Sequence, residues 1–215
     1  MGRSKPTIDT IYHIYNRGVE KRTTFINNRD RLRFINSLYF FNDTFPSIKQ
    51  SEVGLPIPEN DGREPLVELM AFCLMPNHYH LMLRDLTENG ITEFMRKLGT
   101  GYTNYFNLRY QRVGALFQGK FKAVPLLDDA HFNWLPHYIH CNPHHNNKVG
   151  SRTSDIERYV WSSYGEYAGD PRYPEIVDTT FLSEYFESPE NFKEETQKWL
   201  GSQRSNKDDY GLSFD

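Results

Sequence analysis

Residues 66–84 constrain the fold of this chain most. Leu66 to Leu74 is nearly all apolar, Met75-Pro76-Asn77 carries turn chemistry, and His78 to Arg84 resumes an extended pattern. Two strand-length runs joined by so short a break predict a β-hairpin. Its flanks then fix the order of elements. Upstream, Ile11-Tyr12-His13-Ile14-Tyr15 reads as a strand. A helix over 28–41 follows, with Leu32, Ile35, Leu38 and Tyr39 at helical spacing and Asn28 as N-cap. Downstream, 89–110 reads as a helix, 116–126 as a strand and 128–141 as a helix. Asp128 caps this last helix, Pro143 stops it and Pro136 interrupts it. Strand, helix, hairpin, helix, strand is the β-α-β-β-α-β, ferredoxin-like arrangement of an α+β antiparallel sheet, here with one further C-terminal helix. The Pro- and Gly-rich stretch 43–65 reads as a loop insertion. Residues 1–168 are expected to form the domain, and 169–215 an acidic appendage with a helical stretch near 189–200.

Composition narrows the class. Aromatics at 15% are too many for a disordered chain. No apolar run reaches the roughly 18 residues of a spanning helix, and the N-terminus has no apolar signal core, so a soluble, cytoplasmic protein is expected. Two cysteines make neither a disulfide framework nor a four-cysteine zinc site. The net charge of −3 hides a sorted distribution. Residues 1–33 hold eight Lys/Arg against three acids, and residues 94–122 hold six basic residues and no acid. The last 65 residues carry a net −7. Two basic blocks in an acidic protein suggest a polyanion-binding face. Tyr102, Tyr105, Phe106, Tyr110, Phe117 and Phe121 interleave with the second block, a pattern suited either to stacking on unpaired bases or to an ordinary core.

His78-Tyr79-His80 is the sharpest local feature. On a strand the two imidazoles share a face, and Tyr79, Leu81 and Leu83 share the other. Two neutral imidazoles on one strand can supply two ligands to a divalent cation, or simply lie on a solvated face. Tyr138 and Asn142 stand at i and i+4 on the last helix, so Asn142 offers an oxygen beside the histidines and Tyr138 a phenol. A phenol with a pKa near 10 needs help to act as a nucleophile. His131, His137, His140, His144 and His145 flank the same helix and read mostly as surface residues.

These residues carry a resemblance. The run from Ala71 through His78-Tyr79-His80 to Leu83 resembles the His-hydrophobic-His (HUH) motif of single-tyrosine transposases, in particular the repetitive-element-associated tyrosine transposases (RAYTs). Four more blocks match in the same order. Tyr12 to Gly18 resembles the family's opening strand and Gly114 to Lys122 its Gly-x-Leu-aromatic block. Tyr138-Ile-His-Cys-Asn-Pro143 resembles its tyrosine block, and Trp161-Ser-Ser-Tyr164 its closing block. The match spans roughly 11–167. The chain departs from the family after Pro143, where two histidines follow, and in the 43–65 loop and the tail.

The resemblance implies a metal-dependent DNA nickase and strand transferase acting on single-stranded or hairpin DNA. His78, His80 and Asn142 would hold Mg²⁺ or Mn²⁺, and Tyr138 would form a 5′-phosphotyrosine. Arg109, Arg112, Lys120 and Lys122 are candidates for phosphate contact, with Arg17, Lys21 and Arg22 as a second group. Family members act as homodimers or as monomers, and the sequence does not choose. A domesticated hairpin-binding regulator without transposition activity is the alternative. A His-x-His hydrolase using activated water, and a relaxase-type nickase, are further rivals.

Overall fold

The computed structural model describes residues 9–45, 62–127, 129–145 and 153–203. Most of the 43–65 loop, the proposed cap Asp128 and the end of the acidic tail lie outside these residues. β1 (Ile11–Arg17), α1 (Asn28–Phe40), β2 (Val67–Met75), β3 (His78–Asp85), α2 (Gly90–Arg109) and β4 (Lys122–Pro125) follow in the expected order. The four strands form one antiparallel sheet in the order β2-β3-β1-β4. The ferredoxin-like expectation is met, and the further helix is α3 (Asp129–His145), which bears Tyr138.

The sheet is covered on both faces, which is why β2 is buried at every position and, Glu68 apart, reads as an apolar run. One face meets α1 and α2: Phe34 of α1 packs at 5.0 Å from the ring of Tyr79, and at 5.0 Å from Tyr102 of α2. The opposite face, bearing His13, His78 and His80, meets α3. The period of two along β1 and β3 thus separates an apolar face from a polar one.

Asp30 ties α1 to α2. Its buried carboxylate accepts from the backbone N–H of Ile26 and Asn27 and from the hydroxyls of Tyr105 and Tyr110. The N-cap of α1 is Asn27, not Asn28: Asn27 and Asp30 form a reciprocal capping box. The expected strand 116–126 shortens to Lys122–Pro125. Gly114 and Gly119 take positive φ (87° and 73°), so the chain loops between them and forms an isolated bridge just past β1, Phe117 with Gly18. Pro143 does not stop α3, which contains both Pro136 and Pro143.

Residues 153–203 form α4 (Thr153–Glu157), α5 (Tyr164–Ala168), α6 (Thr180–Phe186) and α7 (Pro189–Gln203). The strand edge at β2 would otherwise present unpaired backbone groups. The segment around Trp161 covers it: Leu74 N–H donates to Trp161 O, Ser163 N–H to Phe72 O, and Asp178 N–H to Leu69 O. The stretch expected as an appendage packs into the domain, burying Leu182, Phe186, Phe192 and Leu200.

Candidate functional site

β3 and α3 bring the sequence-nominated residues together. His78 Nε2 lies 3.2 Å from Asn142 Oδ1, and the ring of Tyr138 stands edge-on to His80 with centroids 5.5 Å apart. His78, His80 and Asn142 are buried, and Tyr138 is half-buried.

The tautomer of His78 can be read from its neighbours. Asn77 Nδ2 donates to the carbonyl of Lys21 at 3.0 Å, which leaves Asn77 Oδ1 facing His78 Nδ1 at 2.7 Å. An amide oxygen only accepts, so Nδ1 carries the proton and Nε2 the lone pair. That lone pair faces Asn142 Oδ1. Two acceptors in this position suit a cation between them, and suit a hydrogen bond only if the Asn142 amide turns. Their 3.2 Å separation is close to the roughly 3 Å edge of an octahedron with ~2.1 Å bonds. The donor set of two imidazoles and an amide oxygen therefore fits a divalent cation. Among the described residues no group of three His, Cys, Asp or Glu side chains gathers for a metal, so the amide oxygen is essential to the set.

Burial keeps the rings of His80 and His13 neutral. Desolvation, reinforced by His13, His78 and Arg17, holds His80 well below the usual histidine range. Desolvation alone pushes His13 down to about 3. A neutral ring is the ligating form.

Several residues of the site, His13, Tyr15, Asn16, Gln118 and Trp134, were not picked out in the sequence as functional. His13 Nε2 lies 2.9 Å from His80 Nδ1. Tyr15 stacks on His13, and Lys122 Nζ stands 5.4 Å from the Tyr15 ring centre. Trp134 stacks on Tyr138 at 4.5 Å and 15°. A small pocket beside the histidines is lined by Tyr15, Asn16, Arg17, Gln118 and Lys122. The signal for His13 and Tyr15 was the alternation of β1, but their place required the β1–β3 register that sets Tyr15 opposite His80.

The nominated basic residues divide into two groups. Arg17 and Lys122 line the pocket. Lys21, Arg22 and Lys120 lie on the two loops joined beside it, where Val19 N–H donates to Leu116 O and Gln118 N–H to Arg17 O. Gly18 lets the first of these loops fold tightly back on itself, since a Cβ there would meet the carbonyl of Arg22 at 2.4 Å. Arg109 and Arg112 sit past this junction at the end of α2. Arg109 is 3.6 Å from Asp30, and Arg112 donates to Asn107 Oδ1 at 3.0 Å. The interleaved aromatics do not form a stacking groove. Tyr102, Phe106 and Phe117 are buried, and Tyr105, Tyr110 and Phe121 pack half-buried against the core. Nor are His137 and His140 surface residues. His140 Nε2 contacts Ser163 Oγ at 2.8 Å, and Ser163 Oγ accepts from Phe72 N–H. His137 Nδ1 contacts Thr196 Oγ1 of α7 at 3.0 Å. The Trp161-Ser-Ser-Tyr164 block thus anchors the tyrosine helix to the edge of the sheet.

Comparison with known proteins agrees with the resemblance carried by these motifs. Residues 60–142 match the family model described as "Transposase IS200 like". The matched segment holds the hairpin with both histidines, α2, β4 and α3 as far as Asn142. The fold of the chain is similar to that in a solved structure described as "Structure of the REP associates tyrosine transposase bound to a REP hairpin". That likeness has a TM-score of 0.55 at 13% identity and covers 83% of this chain and 93% of the other. No curated protein matches the chain in sequence. Among the described residues no helix is long and apolar enough to cross a membrane.

Proposed function

We propose that the chain is a DNA strand nickase and transferase of the single-tyrosine type, with Tyr138 as nucleophile. The observation that carries this is the meeting, on one face of the sheet, of Tyr138 with His80 and of His78 with Asn142. The transposase match over 60–142 supports the same class. Tyr138 Oη attacks the scissile phosphorus, forming the phosphotyrosine bond as the P–O3′ bond breaks. The phenol loses one proton and the departing 3′ oxygen gains one. DNA keeps a free 3′-OH, and its 5′ end stays on the enzyme. Because the ester bond is exchanged rather than hydrolysed, rejoining needs no nucleotide cofactor. His78, His80 and Asn142 would hold Mg²⁺ or Mn²⁺, which when bound supplies Lewis-acid polarisation of the phosphate and offsets its developing charge. Trp134 and the edge of His80 restrict the tyrosine ring. Arg17 and Lys122, in the adjoining pocket, are suited to the flanking phosphates.

By analogy with the hairpin named for the solved relative, the DNA is expected to be single-stranded with a hairpin. The test is a denaturing gel of the full chain with Mn²⁺ and labelled hairpin oligonucleotides of varied flanking sequence. A covalent protein–DNA band that disappears with EDTA and in Tyr138→Phe is expected. Cleavage without that band would replace the tyrosine mechanism by an activated-water hydrolase. Tight hairpin binding with neither cleavage nor adduct across the oligonucleotide set would favour the regulator.

A further inference from the structure

We infer that His13 is a positioning residue that sets the tautomer of His80, and so decides whether His80 can ligate a cation at all. The inference rests on the proposed cation set of His78, His80 and Asn142. β1 and β3 pair so that Tyr15 lies opposite His80 and His13 opposite Met82. His13 is therefore the diagonal neighbour of His80 on the face toward α3. The two rings stack at 5.1 Å and 17°, and His13 Nε2 meets His80 Nδ1 at 2.9 Å. His13 is 1% exposed and His80 is 2% exposed, so bulk water does not compete for this contact.

A neutral imidazole has one N–H and one lone pair. A hydrogen bond between two such rings uses the N–H of one and the lone pair of the other, which leaves two assignments. If His13 Nε2–H donates, His80 carries its proton on Nε2 and has no lone pair left for a metal. If His80 Nδ1–H donates, its Nε2 lone pair is free, and His13 keeps its own proton on Nδ1. Only the second is compatible with His80 as a ligand. Ligand histidines are commonly fixed in this way by an acceptor on the far nitrogen. Asn77 Oδ1 plays that part for His78. His13 plays it for His80, from a different strand and 67 residues away in sequence. Carboxylates and carbonyls are the usual acceptors; an imidazole can accept only in one of its own tautomers.

The test uses the full chain in two readouts. Imidazole ¹⁵N NMR at neutral pH without added metal reports the tautomer of His80. Mn²⁺ titration followed by electron paramagnetic resonance reports affinity. Wild type is expected to show His80 as the Nδ1–H tautomer. His13→Leu, which removes the acceptor, should lose that preference and bind Mn²⁺ about 10–100-fold more weakly. His13→Gln, whose Oε1 can accept from Nδ1–H, should restore both. His80 found as the Nε2–H tautomer in wild type overturns the inference. So does wild-type Mn²⁺ affinity in a folded His13→Leu. Were His13→Leu not to fold, the wild-type tautomer and His13→Gln would decide. If His80→Ala binds Mn²⁺ as tightly as wild type, the cation set itself is wrong, a failure distinct from a wrong tautomer.

Discussion

The ring of Tyr138 stands perpendicular to that of His80, at 88°, while its own face is stacked on Trp134. Two rings from different elements thus hold the phenol by its carbon frame. Tyr138→Phe keeps both contacts and removes one oxygen. Its stability by urea denaturation should match wild type within about 0.5 kcal/mol, the range usual for substitutions that disturb no packing. Trp134→Ala should keep the fold and slow adduct formation, because the ring loses one wall. An adduct rate unchanged in Trp134→Ala would remove the positioning role of the indole.

Asn142 presents its oxygen to the lone pair of His78. Removing that oxygen should therefore weaken cation binding without disturbing α3. Asn142→Ala is expected to bind Mn²⁺ at least about tenfold more weakly, or ~1.4 kcal/mol. Asn142→Asp retains an oxygen, adds a charge and should bind at least as tightly as wild type. Equal affinities in all three proteins would take Asn142 out of the set.

Asp30 is the anchor of the α1–α2 pair. It is fully buried and accepts from two backbone amides and two tyrosine hydroxyls. Asp30→Ala takes the acceptor from four donors at once, at a position that is itself fully buried. A loss of about 3–5 kcal/mol is expected, the range for breaking a buried charged network. Asp30→Asn keeps some acceptor capacity and should lose less. Guanidinium unfolding of the three proteins checks the order.

Much of this architecture is legible in the sequence because it is periodic. The alternation in β1 and β3, the apolar run of β2 and the helical spacing in α1 and α2 each depend on local pattern. The pairing of His78 with His80 follows from a period of two, and that of Tyr138 with Asn142 from a turn of helix. What local pattern could not show depends on what lies across a contact. His137 and His140 look like surface polar residues until α7 and the Trp161–Tyr164 block are laid against α3. Tyr102 and Phe106 look equally suited to a base or a core until α1 covers them. His13 belongs to the site only through the β1–β3 register. The start of β4 lies six residues later than its pattern suggests because Gly119 enters positive φ, and nothing in Phe117 or Phe121 marks that bend.

The two buried histidines that anchor the tyrosine helix carry a pH dependence whose sign is fixed. Burial pushes His137 down to about 4 and His140, with His137 beside it, down to about 3. Glu195 lies 3.7 Å from His137 and would favour the charged ring, but that carboxylate is 40% exposed and screened by water, so burial prevails. In the unfolded chain both histidines take up a proton near pH 6.5. Between about pH 6.5 and 4 the unfolded state therefore binds more protons than the folded one, and stability falls as the pH falls. The stabilisation is complete above pH 6.5 and is lost at up to about 1.4 kcal/mol per pH unit for each histidine. Acidic side chains contribute their own slope, so the comparison must isolate one ring. His137→Gln retains a donor for Thr196 Oγ1 and does not titrate. Between pH 7 and pH 5 it should lose about 2 kcal/mol less than wild type does. Urea midpoints at the two pH values measure the difference. Parallel losses in both proteins would mean that His137 is protonated in the folded state, and that its contact with α7 is an ion pair with Glu195 instead of a neutral hydrogen bond to Thr196.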